Sequence, residues 1–141
     1  MEKACFQDPW PRYFFMYMHR KSPELFLVGV LDERVVGYAI GELRKNLHGY
    51  LTELLEIGHI LNIAVENAKR RKGVGTKLIL ELELRFRQRK ATVGLLEVRE
   101  SNTAARSFYK VLGYRETRRL AMYYGDEDAV VMTKNLRASA N

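Results

Sequence analysis

Cysteine is almost absent: Cys5 is the only one in 141 residues. That excludes a disulfide framework and a cysteine-ligated metal cluster, and Cys5 itself reads as a small buried apolar residue rather than a nucleophile. No apolar run approaches the roughly 18 residues of a membrane span, and no secretory apolar core follows the N-terminus. No linker, repeat or low-complexity tract divides the chain. The three histidines, His19, His48 and His59, lack metal-ligand spacing, so no metal is expected. Acidic residues are also in deficit, with 17 Asp and Glu against 24 Lys and Arg, a formal charge of +7. These absences leave a soluble, intracellular protein, cytoplasmic by default, forming one domain over residues 1–141. The basic balance asks for an anionic partner, either nucleic acid or a polyanionic small molecule.

With 47% hydrophobic residues, the chain has enough apolar surface for an ordinary core. A domain of this size buries roughly 68–70% of its unfolded surface. The stretch Arg70-Arg71-Lys72-Gly73-Val74-Gly75 is the most informative. It follows an apolar run, Ile60 to Val65, that reads as a buried strand, and it opens an amphipathic segment that reads as a helix. A strand, a short basic loop with two glycines, and a helix together make a pyrophosphate cradle from backbone N–H groups. Glycine lets the main chain approach phosphate oxygens, and the helix N-terminus adds partial positive charge.

The rest of the chain follows from turn chemistry and hydrophobic period. Pro9-Trp10-Pro11 is a turn, with Pro11 suited to the first position of a helix that carries Phe14, Phe15 and Met18. Leu25–Leu31 and Val35–Leu43 form a hairpin around Asp32-Glu33-Arg34, and Leu54–Val65 is a long third strand. Val74–Lys90 is a helix with Leu78, Leu82 and Phe86 on its core face. Val93–Val98, nearly continuous in apolar character, is a central strand. Asn102 caps a short helix that stops at Gly113. Tyr114–Tyr124 and Ala129–Lys134 close as a hairpin around Gly125-Asp126-Glu127. Hairpins at both ends with alternation in the middle imply an α/β (α+β) fold, a mixed sheet with helices on its faces.

Four segments together resemble the GNAT superfamily of acetyl-CoA-dependent N-acetyltransferases. They are Leu61–Val65, Arg70–Gly75, Leu96–Asn102 with Tyr109, and Glu127–Met132. The likeness is nearest to N-terminal acetyltransferases of the ribosomal-protein-alanine type and their archaeal relatives. It implies a V-shaped opening between the third and fourth strands for the pantetheine arm of acetyl-CoA. Carried over by position, Ile63, Ala64 and Val65 offer backbone groups to that arm. Arg70, Arg71, Lys72, Gly73, Val74, Gly75 and Thr76 hold the pyrophosphate, and Asn102 hydrogen-bonds the coenzyme. The resemblance places the general base at Glu97 and the acid for the thiolate at Tyr109. Phe6 and Trp10 then stand on one wall of an acceptor groove, Tyr123 and Tyr124 on the other. The resemblance implies that the acceptor is the N-terminal segment of a protein, with ribosomal proteins among the candidates.

Each assignment has a plainer reading in the residues alone. Glu97 also fits a strand-end surface carboxylate, and Phe108 and Tyr109 also fit core aromatics of an amphipathic helix. Tyr123 and Tyr124 fit ordinary sheet aromatics, and strand alternation would let only one of them line a groove. His59 reads as a hydrogen-bonded strand histidine and receives no role. Members of the family usually begin with a strand and a full helix before the segment matching Glu2–Phe6, so either the start is truncated or the sheet lacks its usual first strand. That leaves a monomer with an exposed edge or a homodimer. The chemistry favours an α-amine acceptor: deprotonation at pH 7 costs about 1 kcal/mol for an α-amine and about 4.6 for lysine. The alternatives are acetylation of a lysine or small amine, and a basic nucleic-acid-binding domain, which would want aromatic-rich strand motifs not found here.

Overall fold

The computed structural model describes residues 10–46, 55–66 and 73–137. Helix α1 (Arg12–Lys21) and a 3-10 turn (Pro23–Leu25) lead into strands β1 (Phe26–Leu31), β2 (Arg34–Asn46) and β3 (Leu55–Val65). Helix α2 (Val74–Gln88) then crosses to β4 (Val93–Arg99), helix α3 (Thr103–Val111), β5 (Arg115–Leu120) and β6 (Ala129–Asn135). The strands form one mixed sheet in the order β1-β2-β3-β4-β6-β5, with β3 and β4 parallel and the other pairs antiparallel. The expected α/β architecture with helices on both faces is what the chain forms. Among the described residues β1 is an edge strand. No helix among them is long and apolar enough to cross a membrane.

One face of the sheet is packed by α2 and α3. Leu78, Ile79, Leu82 and Phe86 of α2 are almost fully buried against Ile60, Leu96, Val130 and Met132. Burying each such side chain contributes about 1.5–3 kcal/mol. The opposite face carries α1, whose Met18 and Phe15 pack with Tyr38, Ile40 and Ala64. Strand β4 alternates buried and half-buried along its length, whereas Ala129–Met132 of β6 is buried throughout. Both are central, as the apolar run in β4 predicts.

Several boundaries depart from the sequence reading. Pro11 is not the first helical residue but stands just outside α1, which begins at Arg12. Strand β2 runs three residues beyond Leu43 because its far half pairs continuously with β3. Helix α2 ends at Gln88, and Lys90 turns the chain at φ 67°. The larger correction is the last hairpin: β5 ends at Leu120, and Tyr123 and Tyr124 lie in a turn. Met122 (φ 51°) and Gly125 (φ 86°) take left-handed conformations there, which no continuing strand allows. The cap at Asn102 is as expected, its side-chain oxygen accepting from the Ala105 N–H at 3.0 Å, and Gly113 ends the helix region at φ 100°.

Candidate active site

Strands β3 and β4 pair only at Ile57/Val93, Gly58/Gly94 and His59/Leu95. Immediately beyond, β3 carries an extra residue opposite β2: Gly41 pairs Ile60, but Ile40 pairs Asn62, leaving Leu61 as a bulge. A bulge bends its strand and sharpens the local twist. It also reverses side-chain parity, so Ile60 and Ile63 both pack toward α2 while His59 and Ala64 face the other way. From this point β3 and β4 diverge and enclose a cleft of about 360 Å³. Its lining includes Ile63, Glu97, Asn102, Tyr109, Tyr124 and Trp10.

The edge of β3 that has left β4 offers main-chain groups beside an apolar floor of Ile60, Ile63, Leu96 and Val98. Of the three residues expected to offer those groups, Ile63 lines the cleft, Ala64 is buried toward α1, and Val65 packs on the α2 core. Gly73 caps α2 at φ 79°, a conformation that favours glycine, and a Cβ there would meet nothing within 4 Å. The first turn of α2, which includes Val74, Gly75 and Thr76, contains no acidic residue to compete with an anion. Gly75 lies against Phe108 of α3, with 3.4 Å available to a Cβ. Asn102 spends its oxygen on the α3 cap, leaving its amide NH2 as the group a ligand can use. Arg70, Arg71, Lys72 and Phe6 lie outside the described residues.

At the point where the strands part, His59 Nε2 sits 2.6 Å from Glu97 Oε2. His59 is 5% exposed. It comes from the outward parity of β3, Glu97 from the half-buried parity of β4, and 38 residues of sequence separate them. Their meeting depends on the parallel register of the two strands, which no local pattern encodes. The only sequence signal for His59 is its isolation inside the apolar run Ile57-Gly58-His59-Ile60-Leu61. On its other side Nδ1 approaches Arg44 Nη1 at 3.1 Å and Glu42 Oε1 at 3.6 Å.

Tyr109 projects from α3 into the cleft and is also a core aromatic, with Phe108 and Tyr114 at 5.1 and 5.6 Å between ring centroids. Burial, with a smaller effect from Tyr124, pushes its phenol well above the ordinary value. The two plain readings of this residue are therefore compatible. Tyr124 stacks under the Arg99 guanidinium at 4.4 Å, and burial, followed by Tyr123 and Glu97, pushes its phenol up to about 12. Arg99 also binds Asp126 and Glu127 at 2.8 and 3.1 Å and so ties the turn to β4.

Because Tyr123 and Tyr124 occupy a turn, strand alternation does not govern them. Tyr124 lines the cleft, and Tyr123 lines a second groove of about 530 Å³ on the opposite side of Glu97. Trp10 closes the cleft from the start of α1, packed on Phe14 and Phe15 at 5.3 and 5.8 Å.

The sheet splits between two parallel strands, and a glycine-capped helix follows the first of them. The chain belongs to the acetyltransferase (GNAT) family, whose sequence model matches residues 1–114. It is an acetyltransferase. An N-alpha-acetyltransferase of Sulfurisphaera tokodaii is 33% identical over 140 residues, covering 96% of this chain and 84% of that protein. Chaetomium thermophilum Naa20, solved with a bisubstrate analogue, superposes with a TM-score of 0.84 at 31% identity over 92% of this chain and 75% of that one. The ribosomal-protein-S18-alanine N-acetyltransferase of Escherichia coli is similar at TM-score 0.76 and 27% identity, covering 99% of this chain and 86% of that one.

Proposed function

We propose that the protein transfers the acetyl group of acetyl-CoA to the α-amine of a protein N-terminus, by direct attack within a ternary complex. The observation that carries the mechanism is the His59–Glu97 pair at the parting of β3 and β4, whose Glu97 lines the cleft that also contains Tyr109. Main-chain groups of Ile63, Ala64 and Val65 hold the pantetheine arm. The α2 N-terminus from Gly73 to Thr76, preceded by Arg70, Arg71 and Lys72, holds the diphosphate, and the Asn102 amide adds a further contact. Acetyl-CoA supplies a thioester carbonyl carbon activated toward amines.

The amine gives its proton to Glu97, directly or through one water, and attacks that carbon as a neutral nucleophile. The C–N bond forms, the carbonyl becomes an oxyanion, and the C–S bond then breaks to release the thiolate. Tyr109 is the proton donor to the sulfur. A thiol has an ordinary pKa of about 8.5 and a phenol about 10. Burial raises Tyr109 further, so its hydrogen bond strengthens as sulfur gains charge. The phenol passes its proton to the departing thiolate and recovers one, through water, from the nitrogen, which sheds its second proton as the amide forms. No serine or cysteine beside a base is found among the described residues lining the cleft, which suits direct transfer.

The α-amine is favoured over lysine because Glu97 has about 1 kcal/mol of deprotonation to supply rather than about 4.6. Trp10, Tyr123, Tyr124 and, outside the described residues, Phe6 bracket the approach of the acceptor. The named activities of similar proteins support the same reading, and ribosomal-protein N-termini belong in the acceptor set for that reason. Matched peptides with free and blocked α-amines, each containing one internal lysine, provide the test. Acetylation confined to free α-amines is expected; acetylation of the blocked peptides at lysine would replace this reading with lysine acetylation.

A further inference from the structure

The buried ring of His59 has one close polar neighbour at each nitrogen. Nε2 meets Glu97 at 2.6 Å and Nδ1 meets Arg44 Nη1 at 3.1 Å. A guanidinium has only donors, so Nδ1 must be the acceptor. The ring proton then sits on Nε2 and is donated to Glu97. Glu42 pulls the opposite way, since an Nδ1–H would be drawn to its Oε1 at 3.6 Å. Glu42 is too far for a hydrogen bond and is itself drawn toward Lys21 of α1, at 3.5 Å. Arg44 therefore prevails. The other charged or titratable groups facing this side are Lys45 of β2, Arg118 of β5 and Tyr123 of the turn, all lining the outer groove with Arg44 and His59. Two are cations and one a phenol, so none invites a second proton onto the ring.

We propose that Arg44 is a positioning residue: by donating to Nδ1 it holds His59 as the neutral Nε2–H tautomer, so that Glu97 faces a fixed donor rather than an imidazolium. The proposal deepens the reading of Glu97 as the base and rests on it. Without Arg44, the ring can take a proton on Nδ1 toward Glu42. An imidazolium 2.6 Å from Glu97 would favour the ionised carboxylate and make it a weaker base. Arg44 thus protects the base by keeping its neighbour a single, uncharged donor.

The test is the ratio of kcat/KM for Arg44→Met to that of the unmodified enzyme, across pH 5.5–9 (~4 points per unit). Taking the ratio cancels the titration of the acceptor amine. The ratio should be flat above about pH 8 and fall severalfold toward the acid end. Arg44→Lys, which keeps a charged donor, should restore most of the acid-side activity, and Glu42→Gln should move the profile the opposite way. A ratio independent of pH would reduce Arg44 to a structural contact and overturn the proposal. Long-range nitrogen–proton spectra of labelled histidine give an independent readout that needs no turnover. A bare Nδ1 and protonated Nε2 on His59 are expected, and a protonated Nδ1 would overturn the proposal. If the tautomer is as expected while Glu97→Gln keeps full activity, the base assignment has failed and the Arg44 contact stands.

Discussion

The ring of Phe86 lies so close beneath Gly58 that any Cβ on Gly58 would overlap it. Gly58 pairs with Gly94 one register step before β3 and β4 separate. A Cβ on Gly94 would meet the Tyr114 hydroxyl at 3.0 Å, and one on Gly41 would meet the Phe86 ring at 2.6 Å. Three neighbouring strands thus present bare backbone to large buried rings, and the apex of the cleft is held where those rings press. Gly58→Ala is expected to cost about 1–3 kcal/mol, because Phe86 is fully buried and has nowhere to retreat. Denaturant midpoints would show this, and Phe86→Leu in the same background should recover part of the loss. An unchanged midpoint would mean the ring yields easily.

Tyr109→Phe separates chemistry from packing. The substitution keeps the ring between Phe108 and Tyr114 and removes only the hydroxyl that faces the cleft. Turnover should fall about 100-fold or more, while acetyl-CoA affinity by calorimetry stays at the level of the unmodified protein. Equal losses in both quantities would assign the hydroxyl to coenzyme binding instead.

Alkaline conditions should unfold the protein through its buried phenols. Burial raises Tyr114, and the charge of Glu83, which accepts its hydrogen bond at 2.8 Å, raises it further. Burial also raises Tyr109. Phenols in the unfolded chain release protons near pH 10. Above that pH the folded state holds more protons than the unfolded one, so stability falls as pH rises. Tyr114→Phe should flatten the decline in denaturant midpoint between about pH 9 and 11. The same steepness in both proteins would place the titrating group elsewhere.

Arg99 fastens the tyrosine turn by two carboxylates and one aromatic face. Its hydrogen bonds hold both Asp126 and Glu127 below the usual carboxylate range. That contribution is present above the ordinary carboxylate pKa, about 3.9–4.3, and is lost as pH falls through the depressed values. Arg99→Met should loosen Tyr124 and raise the acceptor KM severalfold, with a smaller change in kcat. A KM that does not move would mean the turn keeps its shape without the guanidinium.

Much of this protein was decided locally. The four-residue spacing of Leu78, Leu82 and Phe86 is a helix face whatever surrounds it, and all three are buried. Asn102 caps and Gly113 terminates because a short amide and a missing Cβ do those things within one turn of chain. The family resemblance rests on four segments in order, Leu61–Val65, Arg70–Gly75, Leu96–Asn102 with Tyr109, and Glu127–Met132. The end of β5 at Leu120 and the setting of Tyr123 and Tyr124 in a turn differ from the local pattern. The apolar and aromatic content there suits a strand, but Arg99, reaching across from β4, gathers the following residues into a turn.

What the sequence alone determined was the set of helices, most strands, and the chemistry available for handling a thioester and an amine. Tertiary structure decided that β3 bulges at Leu61, that β3 and β4 separate directly after His59, and that His59 meets Glu97 with Arg44 behind it. Propensity and capping act over a few residues and are written in neighbouring letters. Strand register, and the pairing of groups 15 and 38 residues apart, arise only when the whole sheet packs against its helices.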